Sequence, residues 1–241
     1  MATPTSRPIP MQNAWYSGEA MQPPEAADRF PTLVAASDGD VLQLPDRTAH
    51  IRLRYRTPEL VVIDDFLSAS ECAALIAAAA PRLAASETVA DDSDALARTS
   101  QGMFFDPGET ALIRQIDARV AHAFQWPITH AEDLQVTCYQ VDQRYEPHRD
   151  YFSHTTSEAI SGVQRFGQRV ATVLFYLNEP ERGGETRFLD LDLTVKPRQG
   201  TAVFFSYPSP NPESQTLHEG CPVLFGEKWI ANKWLRAKAF G

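Results

Sequence analysis

From residue 134 to its end the chain reads as one strand after another. "LQVTCYQV", "QRVATVLFYLN", "ETRFLDLDLTV", "GTAVFFSYP", "CPVLF" and "EKWIANKWLRA" follow in order, rich in β-branched and aromatic residues. Turn residues separate them, notably Gly183-Gly184 and Pro197-Arg198-Gln199-Gly200. That succession implies a β-sandwich or barrel whose strands finish the chain, with helices packed on it. The fold class is α+β, mainly β.

The helices come from upstream. "SASECAALIAAAAPRLAAS" (68–86) is expected as a helix, capped by Ser68 or Ser70, with Glu71 in its first turn and Pro81 ending or kinking it. "ETALIRQIDARVAHAFQ" (109–125) sets Leu112, Ile116, Val120 and Phe124 four apart, an amphipathic helix. "HIRLRYR" (50–56) alternates and "ELVVIDDF" (59–66) is a short apolar run, so both are expected as strands. The acidic segment 87–100 has no period and reads as a long mobile loop, the kind that serves as a lid. Residues 1–47 keep no period of 2 or 3.6 and read as a partly irregular extension. Its Trp15, Tyr16 and Phe30 are candidates for docking on the domain.

Several classes of protein are disfavoured. The net charge of −9 argues against binding nucleic acid or an anionic membrane by bulk charge. Nowhere do 18 apolar residues run together, and the start has no signal-peptide core. Cys72, Cys138 and Cys221 are widely spaced and without a C-x-x-C, which suits a reducing compartment or buried apolar positions better than a disulfide framework. A cytoplasmic location is expected.

The chemistry starts at "YEPHRDYF" (145–152). On a strand, residues i and i+2 share a face, so His148 and Asp150 would project side by side as two ligands of one metal. Downstream, a third ligand is available from His154, in a Ser/Thr-rich segment that looks like loop, or from His218, where a strand begins. Two histidines and a carboxylate that leave positions open suit a non-haem Fe(II) oxygenase, and zinc takes the same ligands. Lys228 lies ten residues after His218 in an apolar, aromatic strand. A buried lysine needs an anion, and a dicarboxylic cosubstrate chelating the metal would supply one. Tyr139 and Thr172, on neighbouring strands, are candidate hydroxyl donors to the same carboxylate.

Over residues 59–241 the chain resembles the prolyl 4-hydroxylase branch of the Fe(II)/2-oxoglutarate dioxygenases. Five ordered blocks carry the likeness: "VVIDDFLSASECAALI", "ARTSQGMFF", "LQVTCYQVDQRYEPHRDYF", "QRVATVLFYLNEPERGGETRF" and "LHEGCPVLFGEKWIANKWL". The resemblance implies a double-stranded β-helix (jelly-roll) core over 134–241, supported by a helical region over 48–133. It implies His148, Asp150 and His218 as iron ligands. Lys228 would pair with the distal carboxylate of 2-oxoglutarate, assisted by Thr172 and with Tyr139 nearby. Tyr145, Trp234 and Arg98 would border the substrate. Fe(II), 2-oxoglutarate and O2 are the implied cofactors, with ascorbate a further candidate, and succinate and CO2 the co-products. The implied substrate is a prolyl residue in a peptide or protein, with a proline-rich one a further candidate. The competing readings are a hydroxylase of a free amino acid or other small metabolite, and a non-catalytic module binding proline-rich peptides. Glu219 departs from the small residue usual after the last histidine and would place a charge near the iron. The segment "SHTTSEAISGVQRFG" is a loop of the kind that varies with substrate.

Overall fold

The computed structural model describes residues 30–34, 39–85, 99–152 and 157–241. Trp15, Tyr16, Arg98, His154 and the 87–98 part of the acidic segment lie outside the described residues. The first half holds β1 (Val41–Gln43), β2 (Thr48–Arg56), β3 (Glu59–Asp64), α1 (Ala69–Ala79), β4 (Ala84–Ala85), β5 (Gln101–Phe104) and α2 (Ala111–Phe124). Then come β6 (Gln135–Tyr139), β7 (Tyr145–His148), α3 (Ser157–Phe166), β8 (Arg169–Tyr176), β9 (Arg182–Gly183) and β10 (Thr186–Phe188). The chain finishes with β11 (Leu193–Val195), β12 (Ala202–Ser206), β13 (His218–Gly220), β14 (Val223–Phe225) and β15 (Lys228–Arg236).

α1 and α2 start where their caps put them. The Ser68 hydroxyl accepts from the Glu71 N–H at 3.2 Å while the Glu71 carboxylate accepts from the Ser68 N–H at 2.7 Å, a reciprocal box. Thr110 caps α2 one way, its hydroxyl accepting from the Ile113 N–H at 3.1 Å. The helix expected over 68–86 stops sooner: at Pro81 it tightens into one 3-10 turn, Ala80–Arg82. α2 buries Ile113, Ile116, Val120, Ala123 and Phe124, and Leu112 only partly.

Nine strands form one antiparallel sheet in the order β1-β2-β3-β12-β8-β15-β6-β5-β4, and four form a second, β11-β10-β13-β7. From β6 onward the chain passes back and forth between them, with β6, β8, β12 and β15 in the large sheet and β7, β10, β11 and β13 in the small one. That alternation is the jelly roll. One apolar core lies between the large sheet and the helices and contains Phe66, Leu75, Ile116, Phe124 and Phe204. The other lies between the two sheets and contains Val62, Leu174, Phe188, Phe205 and Ile230. β8 gives Val173 and Phe175 to the first and Leu174 and Tyr176 to the second. A strand covered on both faces has no solvent side to mark with polar residues, which is why "QRVATVLFYLN" reads as an unbroken run.

Three expectations need correction. The ordered domain begins before residue 48, because β1 pairs with β2 and Leu33, Leu42 and Leu44 are buried; Phe30, by contrast, stays 42% exposed. The support region also supplies β1–β5 to the large sheet, so no sharp boundary falls at 134. The segment expected as loop after Asp150 holds α3, whose Phe166 packs on Phe240 with ring centroids 4.8 Å apart. Its apolar residues Ile160, Val163 and Phe166 recur every third position, a stripe that the Ser/Thr-rich start concealed.

Candidate metal centre

β7 and β13 are antiparallel neighbours, and their register sets His148 directly opposite His218. Asp150 is not on the strand, as expected from the i, i+2 spacing, but in the bend just after it. The bend reaches the same end. The Asp150 carboxylate lies 3.6 Å from His148 Nε2 and 3.8 Å from His218 Nε2. Ligand atoms of all three residues lie within 4.8 Å of one another.

The backbone turns each imidazole. His148 Nδ1 sits 2.8 Å from the Glu146 carbonyl and His218 Nδ1 sits 2.9 Å from the Thr216 carbonyl. A carbonyl only accepts, so each Nδ1 carries a proton and each Nε2 is left as the metal-ligating nitrogen. Tyr145 stacks on the His148 ring at 3.5 Å, which holds its plane. Burial pushes the Asp150 carboxyl up, but His218, His148, Arg169 and the Thr172 hydroxyl outweigh it and hold the group below the usual carboxylate range. Two Nε2 atoms and one carboxylate converging from one side fit a divalent metal that keeps open positions for ligands.

Lys228 opens β15 opposite Tyr139 and is only 2% exposed. Its ammonium lies 5.5 Å and 5.8 Å from the Tyr139 and Tyr176 ring centroids, and no carboxylate of the described residues makes an ion pair with it. Burial pushes its pKa down to about 8. Gly184, at φ +75°, makes the room: a Cβ there would stand 3.1 Å from Lys228 Cδ. A Cβ on Gly220 would stand 3.9 Å from Nζ. Gly220 follows His218 by two residues on β13, roughly 7 Å along the same face. An extended five-carbon dicarboxylate spans that gap.

Thr172 does not assist Lys228. It faces Trp234 across β15, six residues from Lys228 and roughly 20 Å along the strand. Its hydroxyl donates instead to Asp150 Oδ2 at 2.6 Å. The hydroxyl on the Lys228 side is Thr186, opposite Gly220 and 2.8 Å from the Tyr176 hydroxyl. The alternation of "TRF" in β10, with Thr186 and Phe188 inward, carried that signal. Glu219 faces away from the histidines and pairs with Arg187 across the strand at 3.4 Å, so it adds no charge to the ligand set.

Trp234 is buried, with its Nε1 lacking a hydrogen-bond partner among the described residues, and lies under the Arg169 guanidinium at 4.0 Å. Glu132 holds Arg169 through both oxygens, at 2.6 and 2.7 Å, and takes Arg236 at 2.6 Å as well. None of this network was apparent from the sequence, since its members come from three distant segments. Glu132→Ala should cost about 3–5 kcal/mol, because two guanidinium groups would lose their shared anion out of reach of water; urea denaturation measures it.

A jelly roll with two histidines and an aspartate converging between its sheets defines a mononuclear non-haem metal protein. The family model for the 2OG-Fe(II) oxygenase superfamily matches residues 134–236. Prolyl 4-hydroxylase 1 of Arabidopsis thaliana is 40% identical over 207 residues, covering 76% of this chain and 70% of that protein. The viral collagen prolyl hydroxylase of Paramecium Bursaria Chlorella virus-1, solved as its 2OG complex, is 33% identical with a TM-score of 0.56 and covers 73% of this chain and 94% of its own. A Trichoplax adhaerens prolyl hydroxylase, 16% identical over 76% of this chain and 85% of its own, shares the fold with a TM-score of 0.53. The chain belongs to the 2OG-Fe(II) oxygenase superfamily, in its prolyl 4-hydroxylase branch. It is a 2-oxoglutarate-dependent dioxygenase that uses Fe(II).

Proposed function

We propose that this enzyme hydroxylates prolyl residues in a peptide or protein, with His148, Asp150 and His218 holding the iron and Lys228 the distal carboxylate of 2-oxoglutarate. The observation that carries the assignment is the geometry of Lys228. A buried ammonium that forms no ion pair among the described residues reaches from the large sheet to within 3.9 Å of where a Cβ on Gly220 would stand, two residues along β13 from the metal-ligating His218. When bound, iron and 2-oxoglutarate supply dioxygen activation coupled to decarboxylation to succinate and CO2.

The chain's own residues bind and orient. Lys228 fixes one end of the cosubstrate, with Tyr139 against the ammonium and the Thr186 and Tyr176 hydroxyls beside it. Tyr145 stacks on His148 at the small-sheet side, and Trp234 stands with Arg169 at the large-sheet side, so these groups border the position a substrate carbon would take. Arg98 belongs to the substrate side by resemblance alone. The prolyl substrate rests on likeness to relatives that share three quarters of the chain with it. A cytoplasmic location is proposed on the three free cysteines, and an ascorbate requirement on the family's chemistry.

Succinate formed from 2-oxoglutarate with Fe(II) in air should rise on adding a proline-containing peptide and vanish in His148→Ala. Succinate release indifferent to every peptide tried would move the substrate to a free amino acid or another small metabolite. No succinate despite bound iron would make the protein a binding module.

A further inference from the structure

The Thr172 hydroxyl has two neighbours, Asp150 Oδ2 at 2.6 Å and the Tyr207 hydroxyl at 2.8 Å. A carboxylate only accepts, so Thr172 must spend its single proton on Asp150. Its oxygen is then free to accept, and the donor beside it is Tyr207. The order is thereby fixed: Tyr207 donates to Thr172 and Thr172 donates to Asp150. Tyr207 is 1% exposed, and burial, with the Asp150 charge beside it, raises its pKa well above the usual value, so it stays a neutral donor. The fold supplies the alignment. β8 and β12 pair with Thr172 opposite Phe205, which makes Tyr207 the diagonal neighbour on the inner face, and the Tyr207 N–H is tied to the Val170 carbonyl at 2.9 Å.

The relay acts on one oxygen only. Oδ2 takes the Thr172 proton and lies 3.8 Å from His218 Nε2, while Oδ1 accepts no hydrogen bond from the described residues and lies nearer a ligand nitrogen, 3.6 Å from His148 Nε2. A carboxylate on a bend, without such a pin, is free to rotate about its last torsion, to chelate through both oxygens, or to swing toward Arg169, whose Nη1 lies 3.4 Å from the Asp150 carbonyl. We propose that Thr172 and Tyr207 are positioning residues that hold Asp150 to one-oxygen coordination through Oδ1, keeping the remaining metal positions open for cosubstrate and dioxygen. The assignment rests on the metal reading above.

Co(II) substitutes for iron without turning over and reports coordination through its visible d–d bands. Thr172→Val removes the donor and keeps the shape; Tyr207→Phe removes only the terminal hydroxyl; Thr172→Ser keeps the donor. Thr172→Val and Tyr207→Phe should each weaken Co(II) binding about 10-fold or more and change the d–d spectrum, as expected on loss of a group that orients a ligand. Thr172→Ser should restore both. Tyr207→Phe carries the test by itself if Thr172→Val fails to melt cooperatively. Parental affinity and an unchanged spectrum in both variants would overturn the relay and leave the metal site standing. A parent protein that binds Co(II) no better than His148→Ala would overturn the metal reading as well.

Discussion

Asp150→Asn is expected to reduce succinate formation to background and to weaken divalent metal binding by more than about 100-fold. Supporting groups that merely orient a ligand are worth roughly 10–100-fold, and Asp150 is the only anion in the ligand set. The substitution keeps the volume and still accepts from Thr172, so packing is preserved and the missing quantity is charge. His148→Ala and His218→Ala should match it in activity, because each removes one of the two Nε2 atoms that converge on the carboxylate. The positions that anchor the histidines should behave oppositely. Glu146 holds His148 through its backbone carbonyl, while its side chain is turned outward to Arg144. Glu146→Gln should therefore leave turnover within twofold, a result to be set beside the ligand variants in one iron-dependent assay. Substantial activity in Asp150→Asn would remove Asp150 from the coordination sphere.

These residues were legible in different degrees, for reasons that lie in how each is specified. His148, Asp150, His218 and Lys228 stood out because such groups are costly to bury without a partner and the apolar strands around them left few other roles. The long gap from Asp150 to His218 implied that distant strands converge, but not that β7 and β13 are direct neighbours in one sheet. Thr172 shows the limit. It was expected on a strand beside that of Tyr139, but β15 lies between the two, and six residues of offset along β15 decide whether a hydroxyl meets Lys228 or Asp150. That offset depends on how β8, β15 and β6 align, which no local pattern encodes. The Glu132–Arg169–Arg236 network is hidden for the same reason, since pairing between residues 132, 169 and 236 is a property of the closed sheet. α3 was missed on composition, because Ser and Thr near a helix start resemble loop until the three-residue apolar stripe is counted.

Lys228→Met should abolish 2-oxoglutarate binding and, in the same molecule, stabilise the cosubstrate-free protein. Both effects have one cause. Burial takes the ammonium out of water, no carboxylate of the described residues forms an ion pair with it and Glu185 offsets only part of the cost from a distance, so its pKa falls from 10.5 to about 8. At about 1.4 kcal/mol per pH unit, keeping the charge in the folded state costs about 3 kcal/mol below pH 8. Methionine fills the channel beside Gly184 without a charge, so Lys228→Met should melt roughly 6–12 °C higher. The pH dependence has a definite sign. Between pH 8 and 10.5 the unfolded lysine stays protonated while the folded one loses its proton, so this group makes the parent more stable as pH rises through that window. The difference from Lys228→Met should shrink accordingly. Cosubstrate affinity runs the other way, because the dicarboxylate needs the ammonium: its apparent KM should be level below pH 8 and rise about tenfold per unit once the free protein's lysine has titrated. In thermal melts, 2-oxoglutarate with Co(II) should raise the parent midpoint and leave Lys228→Met unmoved. A variant that melts lower than the parent, or still responds to 2-oxoglutarate, would mean that Lys228 is satisfied by the protein itself and that the cosubstrate's distal carboxylate is held elsewhere.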